Sequence, residues 1–330
     1  MTPNPHDPSD VAAVLPTGWV PIAVKAAAFL AIALLGTEAL WRSLGYLPAK
    51  SDLRHFAQLR KYADADPRSV ALLGSSRVQY GLDPHSLERT VPGRRYLQLA
   101  IPGHSPLPVL EDLAKDSSFK AKVSCELNPA HWAGGSPFPN FASQLDYTHP
   151  EVSGAYLETL LAERFRDRFS FFSYNLFTEV PRIAQHKYVP APEPPDRFEP
   201  FRDNGPMVNE RRILLGERDA QVAAEWIKRT GSSRIKQEVW GWVERIRRRG
   251  GDVAFVRLPV EGRLRVCEES VFPQTESLIR EVRAWGVVVI DFAEMPGSFR
   301  CPDGSHLEAS EADRFSRLVG ETLATKGFFR

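Results

Sequence analysis

Asp303 and His306 stand three apart in the run Pro-Asp-Gly-Ser-His-Leu, residues 302–307, just ahead of the last helical stretch of the sequence. Asp-Gly is turn chemistry, and a Ser or His after it can simply start a helix. The same spacing lets a carboxylate orient an imidazole, which can then serve as general base for a nucleophile elsewhere in the chain. The candidate nucleophile lies in "LLGSSRVQYGLDP", residues 72–84, where Gly74, Ser75, Ser76 and Arg77 follow an apolar run. A serine in a tight strand-to-helix turn projects its hydroxyl over the sheet edge, and the helix start beyond it favours developing negative charge. This run is neither the G-x-S-x-G elbow nor the lysine-bearing phosphate loop. Two further loops offer hydrogen-bond donors. Gly103 in "LAIPGHSP" could present a backbone N–H to an oxyanion, or be an ordinary turn glycine beside Pro102. Asn128 in "ELNPAHW" could present a side-chain N–H, or end its strand in an Asn-Pro turn.

Neighbouring residues carry two readings each. Arg77 can position an anionic substrate or pair with Asp83. His104 and His131 stand near the same expected edge, as substrate contacts or as plain loop residues, the latter favoured. Glu126 ends a strand, where a carboxylate is usually solvated. No H-E-x-x-H or similar ligand spacing occurs, so no metal and no cofactor are expected.

These residues need elements to position them. Residues 53–63 read as a short helix. Apolar β-type runs at 69–74, 95–100, 121–128, 252–259 and 287–292 predict five strands, and helical spacing recurs at 107–116, 234–250, 275–286 and 308–327. Strands alternating with helices predict a parallel sheet covered on both faces, a doubly wound, flavodoxin-like three-layer α/β/α arrangement with its chemistry at the carboxyl ends of the strands. A long insertion at 133–232 interrupts the pattern. It opens on "GGSPFPN", carries an aromatic stretch at 165–177 and passes a Pro-rich segment, as expected of a cap.

The first residues add a membrane expectation. Residues 1–18 are rich in Pro, Asp and small side chains and read as disordered. Residues 19–41, bracketed by Trp19 and Trp41 with Lys25 and Glu38 toward the ends, have spanning length and read as an uncleaved transmembrane anchor. Arg42, Lys50 and Arg54 follow it, and by the positive-inside rule favour a cytoplasmic remainder. The 330 residues carry a formal charge of +1, which gives no electrostatic case for nucleic acid. Three scattered cysteines exclude a zinc site or a disulfide framework, leaving at most one bridge, between Cys267 and Cys301.

The order of the blocks resembles the SGNH (GDSL-like) hydrolase family: a Ser after strand one, then a Gly, an Asn, and a late D-x-x-H. The resemblance covers roughly residues 69–130 and 252–325, and "GSSRVQYG" is similar to membrane-anchored members associated with D-alanylation or O-acetylation of envelope polymers. It implies Ser76 as nucleophile, His306 as general base and Asp303 as the group orienting it. Gly103, Asn128 and the Ser76 N–H would form the oxyanion hole. Residues 42–330 would be an SGNH-like domain outside the cytoplasm. It would act as an esterase or O-acyltransferase on an acylated envelope glycan, with a membrane-bound acyltransferase as a possible partner. Ser75 departs from the family's aspartate, and Glu-Leu-Asn-Pro departs from its G-x-N-D block. Those departures keep open a non-catalytic accessory role. An esterase acting on lipid at the bilayer surface is the third reading.

Overall fold

Five short apolar runs pair side by side, all parallel, in the computed structural model. They are β1 (Ser69–Leu73), β2 (Arg95–Gln98), β3 (Lys122–Glu126), β4 (Asp252–Arg257) and β5 (Val288–Asp291), in the order β2-β1-β3-β4-β5. The structure describes residues 19–43, 66–132, 205–231 and 233–330, with Phe56, Leu59, Arg60, Tyr62, Ala63, Phe165, Arg168, Phe169 and Phe201. The expected segment 1–18, the Pro-rich run and most of the 165–177 aromatic stretch fall outside those residues.

β1 and β3 are buried along their whole length, on both faces, as expected of inner strands of a parallel sheet. Successive side chains nevertheless serve different layers. Ala71, Leu73, Val123, Cys125, Val253 and Phe255 face a core built with α4 (Leu107–Lys115), α6 (Ser233–Arg248) and α8 (Thr275–Ala284). Val70, Leu72, Tyr96, Ala254, Val256 and Ile290 face the opposite core, with α2 (Ser76–Gly81), α3 (Pro84–Thr90) and α9 (Ala309–Thr325). Phe315 of α9 is fully buried in that layer, and truncating such a phenylalanine costs about 3–5 kcal/mol. Helices thus cover both sheet faces.

The strands are shorter than the sequence runs, because each run continues into the loop at the strand's carboxyl end. Ile101 N–H still reaches Gly74 O at 2.8 Å and Leu127 N–H reaches Val256 O at 2.8 Å beyond the last paired residues. The loops after β1, β2 and β3 therefore leave the sheet along one edge. Strand order changes direction at β1, where β2 pairs on one side and β3 on the other. A crevice forms at such a switch point in open α/β sheets.

Two helices within or after the insertion shape that edge: α5 (Pro206–Thr230) and α7 (Gly262–Val271), which pack together through Gly216 and Leu264. Most of the expected cap at 133–232 lies outside the described residues, α5 excepted. The chain divides into Met1–Lys50 with Leu157–Pro192, and Ser51–Tyr156 with Glu193–Arg330, so α5 belongs to the sheet-bearing unit.

In the other unit, α1 runs Trp19–Ser43 and is the one helix among the described residues long and apolar enough to cross a membrane. Its side chains are exposed except Glu38 and Trp41, and Arg42 Nε donates to Glu38 Oε1 at 2.6 Å. Phe165 and Phe169 stack with their ring centres 6.2 Å apart.

Candidate active site

The turn after β1 is built around Gly74. A Cβ there would sit 2.1 Å from Val78 Cγ2 and 3.0 Å from Glu126 Oε2, so only glycine lets α2 start this close to the strand. Ser75 caps α2, its Oγ accepting the Arg77 N–H at 3.3 Å, and its own N–H donates to Glu126 Oε2 at 2.6 Å. Ser75 thus does local structural work, capping α2 and anchoring the turn on Glu126. Ser76 is the first residue of α2, and among the described residues no acceptor takes up its N–H.

The turn that follows Cys301 is held from the far side of the sheet edge. Cys301 N–H donates to Glu261 Oε2 at 2.7 Å, and Glu261 N–H to Gly304 O at 2.9 Å. Gly304, which closes the turn by donating its N–H to Cys301 O at 2.9 Å, has φ +85° and a Cβ there would crowd Leu264, which fixes glycine at that place. Asp303 is fully buried. Its Oδ1 accepts the Ser305 and His306 N–H groups at 3.2 and 3.0 Å, while its Oδ2 meets His306 Nδ1 at 2.7 Å. The turn reading and the orienting reading of Asp303 are therefore both realised, one on each oxygen. His306 Nε2 lies 2.8 Å from Ser76 Oγ, joining residues 230 positions apart.

Burial by itself would raise the Asp303 pKa. Hydrogen bonding and charge from His306, with the two backbone donors, outweigh it and hold the carboxyl below the usual range. Ionised Asp303 in turn selects the tautomer that carries its proton on Nδ1, which leaves Nε2 to accept from Ser76.

A cavity of about 320 Å³ opens on these atoms, lined among others by Ser76, His306, Gly103, Asn128, Arg77 and His131. Gly103 sits third in an Ile-Pro-Gly-His turn closed by His104 N–H to Ile101 O at 3.1 Å, and its φ of +73° suits a type II turn. Asn128 Oδ1 accepts the Ala130 N–H at 3.0 Å, which orients the amide and leaves Nδ2 as its donor group at the cavity. The Asn-Pro turn and the donor role are again compatible.

Arg77, Glu126 and the cysteines differ from expectation. Arg77 does not pair with Asp83. It makes a two-point ion pair with Glu268 of α7, with Nη1 to Oε2 at 3.4 Å, while Asp83 caps α3 by accepting from His85 and Ser86 N–H. Burial opposes the Arg77 charge, but the carboxylates of Glu268 and Glu126 outweigh it and push the guanidinium pKa up. Glu126 is buried rather than solvated, because it has a backbone donor to satisfy under the Ser75 turn. His131 is buried in the cavity wall, and burial, helped by the Arg77 charge, holds its imidazole below the usual range. His104 does not line the cavity and its Nδ1 meets Pro102 O at 2.8 Å. Cys267 and Cys301 are free thiols, each approaching a backbone carbonyl instead. Among the described residues no group of three His, Cys, Asp or Glu side chains is arranged to hold a metal ion.

The structure also brings in residues that the sequence reading passed over. Tyr80, one helical turn after Ser76, sets its ring edge-on to His306 with centres 5.1 Å apart. The i, i+4 spacing was a usable signal. Phe201 and Arg212 arrive from the insertion and Glu268 from α7, with no local pattern to mark them. No family model matches this chain, and no curated protein matches it.

Proposed function

We propose that this chain is a membrane-anchored serine esterase or O-acyltransferase of the SGNH type, acting on a small acyl ester of an envelope glycan. The observation that carries the reading is the unbroken hydrogen-bond chain from Ser76 Oγ through His306 to Asp303 at the mouth of a cavity. The strand order 2-1-3-4-5 is that of flavodoxin-like sheets, which supports the fold assignment. The apolar α1 supports the anchor, and the family resemblance supports the glycan.

In this reading His306 Nε2 takes the Ser76 hydroxyl proton as Oγ attacks the acyl carbonyl carbon. Asp303 stabilises the imidazolium that forms. The Ser76 N–H, the Gly103 N–H and Asn128 Nδ2 receive the oxyanion. The tetrahedral adduct collapses, the ester C–O bond breaks, and His306 returns the proton to the departing alkoxide. Water or an acceptor hydroxyl then gives its proton to His306 and attacks the acyl-serine, which releases acid or transferred ester and restores Ser76.

The test is hydrolysis of p-nitrophenyl acetate and acetate release from an O-acetylated polysaccharide by the full chain in detergent. The reading expects both activities in the wild type and neither above background in Ser76→Ala. Equal turnover by the two proteins would overturn it. A C-terminal reporter fusion that places the domain in the cytoplasm would remove the envelope glycan as substrate.

A further inference from the structure

Four contacts close a ring around the catalytic dyad, and half of that ring comes from the insertion. His306 meets Asp303 through Nδ1. Asp303 Oδ2 also accepts from Arg212 Nη1 of α5 at 3.3 Å. The Arg212 guanidinium carbon lies 5.1 Å from the centre of the Phe201 ring. Phe201 in turn stacks on the His306 ring, with centres 5.3 Å apart and planes 16° from parallel. Tyr80 meets the same imidazole edge-on, so aromatic rings confine His306 on two sides.

We propose that Phe201 and Arg212 are positioning residues for the base, so that the Ser76–His306–Asp303 geometry depends on Phe201 and α5 holding His306 and Asp303 in place. This rests on the serine reading above and adds the part that regulates it. An imidazole in a loop can rotate about its own bonds, and the Asp303 bond fixes only one atom of the ring. A parallel ring against its face restricts the remaining rotation. Asp303 is fully buried, and two backbone N–H groups occupy its Oδ1. On Oδ2, Arg212 adds a charged donor beside His306, which holds the carboxylate in place from the side opposite its own turn. Arg212 and Phe201 also touch each other, so the two constraints are linked and loss of one residue weakens the other. Phe201 precedes, and Arg212 lies in the second turn of, the helix that supplies Leu215, Gly216 and Ala220 to the cavity wall. Substrate contact with that wall and readiness of the base are then coupled.

The test is the second-order rate of fluorophosphonate labelling, with the kcat and KM for p-nitrophenyl acetate, on the full chain in detergent. Arg212→Ala and Phe201→Ala are each expected to slow labelling and kcat about ten- to a hundredfold, the loss of one charged hydrogen bond or one ring contact, with KM changed less than threefold. Added guanidinium should restore part of the Arg212→Ala rate, and Phe201→Tyr should stay within about threefold of wild type. A purely structural latch would not respond to guanidinium. Wild-type labelling rates in both alanine variants would overturn the inference and leave the serine reading intact. Slow labelling that follows loss of folding, with no guanidinium rescue, would also overturn it. A wild type that does not label would overturn both.

Discussion

Replacing Gly74 with Ala is the sharpest perturbation of the turn that presents Ser76. The added Cβ would stand 2.1 Å from Val78 Cγ2, 2.4 Å from Val78 Cβ and 3.0 Å from Glu126 Oε2. Carbon atoms pack at about 3.5 Å or more, so α2 must retreat from β1 by on the order of 1 Å. Ser76 lies between the two clashing positions, and its 2.8 Å contact with His306 Nε2 cannot survive a shift of that size unchanged. A misplacement of about 1 Å costs roughly a hundredfold in rate, and overpacking costs about 1–3 kcal/mol in stability. Gly74→Ala should therefore lower kcat/KM for p-nitrophenyl acetate about a hundredfold and lower the melting temperature by several degrees. Second-site variants sharpen the reasoning. Val78→Ala keeps the Cβ at 2.4 Å and should not restore activity, whereas Val78→Gly removes both clashing carbons and should restore part of it. Gly93→Ala is the control. Its φ is +83° with nothing near the added Cβ, so it should lose about 1 kcal/mol and no activity. Wild-type kcat/KM in Gly74→Ala, or equal rescue by Val78→Ala and Val78→Gly, would refute the steric account.

The part-buried pair of Arg77 and Glu268 should behave as a unit: Arg77→Met and Glu268→Leu each cost about 2 kcal/mol in urea unfolding, and the double variant loses clearly less than the sum. Additivity within about 0.5 kcal/mol would refute that coupling. Asp303 has a folded pKa below its unfolded value, so its ionisation stabilises the fold above about pH 4 and that contribution is lost as pH falls through the folded pKa. The stability gap between wild type and Asp303→Asn should shrink as pH falls below about 4; a gap that widens in acid would reverse the sign argued here. Asn128→Asp keeps the Oδ1 acceptor for Ala130 N–H but loses the amide donor. It should therefore fold normally and lose about 10²–10³ in kcat, and an unchanged kcat would remove Asn128 from the oxyanion role.

How much of this was legible in the sequence follows from the range of the interactions. The strands at 69–73 and 252–257 could be read because burial on both faces leaves an unbroken apolar run. Asp303 and His306 could be read because a three-residue spacing is itself a geometry. Ser76 needed the order of the blocks as well, since two small residues after a strand fit many turns. The helices Pro84–Thr90 and Gly262–Val271 are not legible, and the helix Ser76–Gly81 only as a start without an end, because caps and tertiary packing rather than a long amphipathic period set them. Arg77 has the nearby Asp83 as a local candidate, which leaves pairing and substrate contact equally open from the sequence, while its partner lies 191 residues away on α7. Glu126 was taken for a solvated strand end, because nothing in its neighbours announces the Ser75 N–H that it accepts. Phe201 and Arg212 were hidden for the same reason, since a long insertion carries no signal of where it returns to the sheet.

The central claim is that Ser76 is activated by His306. It is tested most directly by treating the full chain in detergent with a fluorophosphonate and locating the adduct by peptide mass spectrometry. The account predicts a single adduct on Ser76 in the folded wild type, lost in Ser76→Ala and reduced to background in His306→Ala. A folded protein that stays unlabelled, or an adduct that persists when His306 is replaced, would contradict it.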